Sequence, residues 1–221
     1  MGVAKTTFYG NEFVGIFAKA NDKFVVVPKD MPEKFKRSVE ALNVEVVAGS
    51  VDGSRLIGVY VAMNDNGIIL PHIATDGEVN LFKKTGLNVY RSKSVLTSMG
   101  LCMAVNDKGG IVNEEFEREE LKRFEDVLGI ELVPYRIMDY KTVGTMCAVT
   151  NKGFVIHNDV PPEVLKEVEE ILHVKGINGT VNMGSPFVGI GVIANSFGIV
   201  TGMFTSGIEV QRLMEGLDIE G

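Results

Sequence analysis

The sequence predicts an α+β fold in which five β-β-α-β repeats follow one another and close into a propeller-like ring with five-fold pseudosymmetry. Three observations carry that expectation. An apolar residue followed by glycine recurs at Val14-Gly15, Ile57-Gly58, Met99-Gly100, Val143-Gly144 and Val188-Gly189, at steps of 43, 42, 44 and 45 residues. Six residues past each glycine stands Asn21, Asn64, Asn106, Thr150 or Asn195, and nine past it Phe24, Gly67, Gly109, Gly153 or Gly198. Self-similarity at a fixed period of this length is the mark of a repeat architecture. The third observation concerns the ends: only residues 218–221 follow the last helical pattern, while 3–8 lies before the first anchor, where a third strand would sit.

Each anchor glycine opens an apolar run that reads as the first strand of its unit. Asn, Asp and Gly tolerate positive φ, so Asn64-Asp65-Asn66-Gly67 and Asn106-Asp107-Lys108-Gly109 predict hairpin turns. Second strands are then expected at 24–27, 68–70, 110–112, 154–156 and 199–201. Helix starts are expected at Asp30 with Pro32-Glu33, Thr75-Asp76 with Glu78, Asn113 with Glu114-Glu115, and Asp159 with Pro161-Pro162-Glu163, because side-chain oxygens cap free amides and carboxylates suit the positive end of the helix dipole. Amphipathic faces follow at Phe35, Val39 and Leu42, at Leu121, Phe124 and Leu128, at Leu165, Val168 and Leu172, and at Val210, Leu213, Met214 and Leu217. The second helix is short and weakly marked. Third strands are expected at 44–48, 87–90, 130–133 and 174–177.

A helix covers one side of a small sheet, so no unit buries its own faces. Five in series either stack as an open solenoid with capped ends or close into a ring. The missing last strand favours closure, giving one domain over 1–221 with repeats at about 9–51, 52–94, 95–138, 139–182 and 183–221, and with 1–8 completing the fifth.

Composition narrows the functional classes. With 221 residues, 45% of them apolar, the chain is long enough for a core, and its longest apolar stretch falls far below a membrane span of roughly 20 residues. The first seven residues carry no block that directs export, so the cytoplasm is the expected location. Two cysteines are too few for a disulfide framework. A net charge of −7 disfavours non-specific nucleic-acid binding and fits a basic protein partner.

Candidate chemistry is sparse. Cys102 and Cys147 fall inside expected first strands and read as buried thiols; a nucleophile would need a nearby base. His72 and His157 lie just past second strands and read, like His173, as surface or capping residues without a metal-ligand pattern. Glu114-Glu115, Glu119-Glu120 and Glu169-Glu170 read as solvated helix surface. Gly189 and Gly191 fail as a phosphate loop, since the residues after them continue as a strand. Asn178-Gly179-Thr180 matches a glycosylation triplet but lacks a secretion signal. What remains is a set of cations between each third strand and the next anchor: Arg55, Arg91, Lys93, Arg136 and Lys141, expected to cluster at one end of the ring.

Five β-β-α-β copies resemble the pentein fold, and the motifs choose among its branches. Phe17-Ala18-Lys19, Gly53-Ser54-Arg55-Leu56-Ile57-Gly58, Thr75-Asp76-Gly77-Glu78, the block from Val143 through Cys147 to Gly153 and His157, and Gly179-Thr180-Val181-Asn182-Met183-Gly184-Ser185 resemble the translation initiation factor six family along essentially the whole chain. That resemblance implies a monomeric, non-enzymatic protein without a cofactor. It would bind the intersubunit face of the large ribosomal subunit, chiefly through a basic ribosomal protein beside the sarcin-ricin loop and with a minor ribosomal RNA contact, and so prevent joining of the small subunit and serve large-subunit biogenesis. The contact set it implies is Arg55, Val59, Arg91, Lys93, Leu101, Lys141, Asn182 and Ser185. Val59 and Leu101 replace polar residues of the eukaryotic members, and the short tail points to the archaeal type.

The rival is a pentein hydrolase or transferase acting on a guanidino group, which needs a Cys nucleophile, a His base and carboxylates converging in the central channel. In those enzymes the nucleophile lies near the C-terminus, whereas the fifth copy here holds no cysteine. An RNA-binding module is a third reading, opposed by net charge and by the lack of an aromatic stacking stripe.

Overall fold

The computed structural model describes residues 2–219, in which five three-stranded sheets stand as blades around one axis. The middle strand of each blade is Phe24–Pro28, Gly67–Leu70, Gly110–Asn113, Gly153–His157 or Ile199–Gly202. A short first strand runs antiparallel on its inner side, and a third strand runs parallel on its outer side. In blades 1 to 4 the third strands are Glu45–Gly49, Asn88–Arg91, Leu132–Tyr135 and Lys175–Gly179. In blade 5 that place is taken by Val3–Thr6, which pairs parallel with Ile199–Gly202 from Val3 opposite Ile199 to Thr6 opposite Gly202. The first and last strands thus meet in one sheet and close the ring among the described residues. Residues 220 and 221 of the expected tail lie outside the described residues.

The anchors differ from the expectation. Val14–Ile16, Ile57–Tyr60, Met99–Cys102, Val143–Met146 and Val188–Gly191 coil into single helical turns, and the first strands begin after them, at Lys19–Ala20, Ala62–Met63, Met103–Val105, Cys147–Val149 and Val192–Ala194. Gly189 and Gly191 therefore do lie in a helical turn, and Cys102 ends one. The reason is contact across the ring. A methyl group on Gly58 would collide with the carbonyl oxygen of Gly15, one on Gly100 with that of Gly58, one on Gly144 with that of Gly100, and one on Gly189 with that of Gly144. The five turns touch one another in a closed circle, as do the five first strands inside them.

The crossover helices are Glu33–Val39, Asp76–Lys83, Arg118–Leu128, Pro162–Leu172 and Gly207–Gly216. Their starts depend on chemistry that the sequence shows unevenly. Thr75 caps the second helix in a reciprocal pair with Glu78, and Ser206 with Glu209 does the same for the fifth, a start not expected from the pattern. The third helix begins at Arg118, later than Asn113 implied: the Asn113 side chain accepts the Glu115 amide at 2.8 Å in a turn ahead of the helix, and Glu114 and Glu115 pair with Arg136 and Lys141.

The core is five wedges, each shared by two blades. Phe35 and Val39 of the first helix and Leu42 of the 3-10 turn Glu40–Leu42 that extends it pack with Val25 of their own blade and Val200 of the fifth. Phe82 meets Val26 and Ile68; Phe124 and Leu128 meet Ile69 and Val112; Val168 and Leu172 meet Ile111 and Phe154; Leu213 and Leu217 meet Val155 and Ile199. At about 1.5–3 kcal/mol for each fully buried large apolar side chain, a helix contributes stability only when both flanking blades are present.

Candidate binding face and central channel

Chain direction gives the ring two unlike faces. First strands run from the helical turns to the hairpin tips, so one face carries five tight turns. Third strands end and crossover helices begin at the other, which carries the interblade loops.

The turn face is knitted by side chains at the repeat position Asn21, Asn64, Asn106, Thr150 and Asn195. Asn21 donates from Nδ2 to the Asn64 carbonyl at 2.8 Å, Asn64 to Asn106 at 3.1 Å, Asn106 to Thr150 at 3.2 Å, and Asn195 to Asn21 at 3.1 Å. The same amides of Asn64, Asn106 and Asn195 reach the helix-end carbonyls of Leu128, Leu172 and Leu42. One residue on, a second circle forms: the Asp22 amide donates to Asp65 Oδ1, that of Asp65 to Asp107, that of Asp107 to Asn151, and that of Ser196 to Asp22. Asn151 bridges the carboxylates of Asp22 and Asp107 through Nδ2, at 2.9 and 2.6 Å. Asp65 takes the strain of this crowd: burial first, then the Asp107 and Asp22 charges, outweigh the Asp22 amide bond and raise its carboxyl to about 6.

Behind these turns lies a narrow channel. A cavity of about 40 Å³, enough for one or two waters, is lined by Gly15, Ala18, Lys19, Met63, Val105, Cys147 and Val192 among others. Part of the Lys19 surface faces this space, yet the surrounding protein desolvates its ammonium and pushes it below the usual lysine range. Burial likewise pushes the Cys147 thiol up, against the attraction of Lys19. A thiol held in that direction is a poor nucleophile. The histidines stand elsewhere. Nδ1 of His72 meets the Ser94 carbonyl at 2.9 Å, and His173 ends its helix in the left-handed conformation. His157 is buried rather than on the surface; it packs by Tyr140 and Phe187 and accepts the Asp159 amide at 3.1 Å, a turn cap.

The loop face gathers most of the expected contact residues. Arg55 pairs with Asp30 and lies 5.5 Å above the Tyr9 ring, Arg91 holds Asp76 at 2.8 Å and the Ala74 carbonyl at 2.9 Å, and Lys141 holds Glu115 at 2.6 Å. Lys93 is exposed, with no ion pair among the described residues. Val59 and Leu101 are half-buried in the helical-turn circle, at the positions held by Ile16, Thr145 and Ile190 in the other blades. Asn182 and Ser185 shape the last interblade loop: Ser185 bridges Val181, and Asn182 reaches the Glu12 carbonyl at 3.1 Å and accepts the Thr205 hydroxyl at 3.0 Å.

Three carboxylates hold these loops. Glu78 accepts the Asp52 and Gly53 amides and the Ser50 hydroxyl, Glu120 accepts Ser92, Tyr90 and the Lys93 amide, and Glu209 accepts the Gly184 and Met183 amides and Thr180. Glu120 is therefore buried, not the solvated surface its acidic neighbourhood implied. Burial raises each carboxyl, but the bonds they accept outweigh it and leave all three lowered, Glu78 to about 2.

Sequence reading missed the exposed apolar side chains of this face. Tyr9, Val95, Met183, Phe204 and Ile208 stand out from it, 65%, 89%, 78%, 60% and 78% exposed, with Met138 and Tyr140 at 40%. Their signal in the sequence is faint: apolar residues out of register with the repeat.

Among the described residues, no helix is long and apolar enough to cross a membrane and no group of three or more His, Cys, Asp or Glu is placed to hold a metal ion. Relatives named "Translation initiation factor 6" include those of Staphylothermus marinus, 37% identical over 98% of both chains, and Cenarchaeum symbiosum, 43% identical over 96% of this chain and 97% of that one. That of Pyrococcus furiosus is 42% identical over 98% and 99%. Among solved structures, a DDAH from Pseudomonas aeruginosa overlays with a TM-score of 0.40 at 14% identity, over 93% of this chain and 73% of that one. The sequence profile of the eIF-6 family matches residues 3–216, and with that span and those identities the chain belongs to the eIF-6 family.

Proposed function

We propose that the chain binds the large ribosomal subunit on its intersubunit face through the loop face of the ring and blocks, by bulk alone, association with the small subunit. The observation that carries this reading is the asymmetry of the ring in exposed apolar surface: Tyr9, Val95, Met183, Phe204 and Ile208 stand beside Arg55, Arg91, Lys93 and Lys141 on a face whose loops are tied down by the buried Glu120 and Glu209 and the half-buried Glu78, whereas the turn face carries lysines at its tips with Phe197 as its exposed large apolar side chain, on a body of net charge −7. A rigid, mixed surface of that kind suits a basic ribosomal protein beside the sarcin-ricin loop, with a minor ribosomal RNA contact through the cations. Arg55, Val59, Arg91, Lys93, Leu101 and Lys141 supply the contact, and Asn182 and Ser185 set the loop beside it. Occlusion needs no cofactor, no catalytic step and one copy of the chain, acting in the cytoplasm during large-subunit maturation and initiation.

Sedimentation tests it. The purified protein should travel with large subunits at moderate salt, and small subunits added afterwards should fail to join. Free protein at the top of the gradient with joining intact would overturn the reading.

A further inference from the structure

The loop face is divided into two sectors. Its cations, Arg55, Arg91, Lys93, Arg136 and Lys141, all come from the loops of blades 1 to 3. The other sector is built where blades 4, 5 and 1 meet, from segments 7–16, 181–189 and 202–211, and these contain no lysine or arginine. Three large apolar side chains stand out there: Met183, Phe204 and Ile208. Exposed Phe and Ile singly are ordinary; three held together by one network are not.

The network fixes them. Glu209, next to Ile208, accepts the Met183 amide at 3.2 Å, the Gly184 amide at 2.8 Å and the Ser206 amide at 2.6 Å. Glu12 accepts the Phe204 amide at 3.2 Å through Oε2, while its carbonyl takes the Asn182 side chain. Met183 is held at φ 64° and Asn182 before it at φ 50°, the left-handed region that a methionine seldom adopts. Backbone held there by three separate segments presents its side chain at little further entropic cost on binding.

We propose that Met183, Phe204 and Ile208 form the apolar anchor of the loop face, onto which a basic protein segment of the large subunit docks with an apolar side chain of its own. The proposal rests on the reading above and adds where the protein partner sits. Charge selects the occupant. A phosphate backbone meets the Glu12 carboxylate here and finds cations only at the margins of the sector, Arg55 over Tyr9 and Arg212 against the Asn178 carbonyl, whereas a Lys- or Arg-flanked apolar peptide finds both halves of its complement.

The test is a binding titration of the full chain on purified large subunits, with Phe204→Ser and Ile208→Glu as the variants and Phe197→Ser, a 48% exposed position on the opposite, turn face, as comparison. Thermal melts of all three should match the parent, since each side chain is outside the core. Phe204→Ser and Ile208→Glu should each bind at least tenfold more weakly, and Phe197→Ser within about twofold of the parent. Parent-like affinity in both anchor variants, with the parent bound, overturns the anchor and leaves the subunit reading standing; a parent that does not bind overturns that reading itself. Protein-free ribosomal RNA is the second probe: binding to it that Ile208→Glu abolishes would make RNA the occupant and sink the proposal.

Discussion

The side-chain amide of Asn195 donates to the backbone carbonyl of Asn21 at 3.1 Å, joining positions 174 residues apart. Its Oδ1 accepts the Phe197 and Gly198 amides of its own turn, and its Nδ2 also reaches Leu42. One buried side chain therefore shapes a turn, ends a helix and closes the ring.

Asn195→Ala strands all of these groups, each worth about 1 kcal/mol net and more when left unpaired in the interior. Urea unfolding should show a loss of roughly 2–4 kcal/mol.

The fourth blade breaks the circle. Thr150 orders its turn through Oγ1 but has no amide to send to the next blade. Thr150→Asn should supply one toward the Asn195 carbonyl and raise stability by up to ~1 kcal/mol in the same measurement; a loss would show that the fourth hairpin tip lacks room for it.

Asp65 works against folding at neutral pH. Its folded carboxyl is raised to about 6 from the ordinary aspartate value of 3.8, so the folded state holds the proton more tightly; the resulting stability is present below about 3.8 and lost as pH rises through 6. Asp65→Asn should therefore raise the melting temperature at pH 7.5 and have little effect at pH 3.5. Solvent screening keeps the gain to about 1 kcal/mol or less.

Glu78 has the opposite sign. Its carboxyl is held at about 2 against 4.5, so its contribution is present above pH 4.5 and lost as pH falls toward 2. Glu78→Gln should melt earlier at pH 7 and show a flatter fall in melting temperature between pH 4.5 and 2.

Glycines at contacts and on open helix behave differently. Gly100→Ala drives a methyl group into the Gly58 carbonyl and should cost about 3 kcal/mol or more, with Gly77→Ala as the contrast. Gly77 lies in the second helix with nothing nearer than the Thr75 hydroxyl at 4.0 Å, so alanine there should stabilise by about 0.5–1 kcal/mol.

Much of this fold was legible because its signals are local and repeated. The Asn64-Asp65-Asn66-Gly67 tetrad has the residues a tight turn requires, and Phe35, Val39 and Leu42 have helical spacing whatever they pack against. The site was legible in part. Arg55, Arg91 and Lys141 could be placed at one end because strand direction follows from the repeat, but their engagement with Asp30, Asp76 and Glu115 depends on partners 15 to 26 positions away. Met183, Phe204 and Ile208 carry no periodicity at all, so only their exposure reveals them.

Sequence alone determined the number of copies, the middle and third strands and the amphipathic face of the crossover helix in most of them, and the N-terminal strand as the one that completes the fifth sheet. Tertiary structure decided what depends on contact between copies: that the anchor segments coil, since each glycine packs against a carbonyl of the preceding blade; that Glu120 is buried, since Ser92 and Tyr90 come to it from the second blade; and that most of the exposed large apolar side chains stand on the loop face. Such contacts join positions tens of residues apart, and a pattern read along the chain carries no information about distance in space.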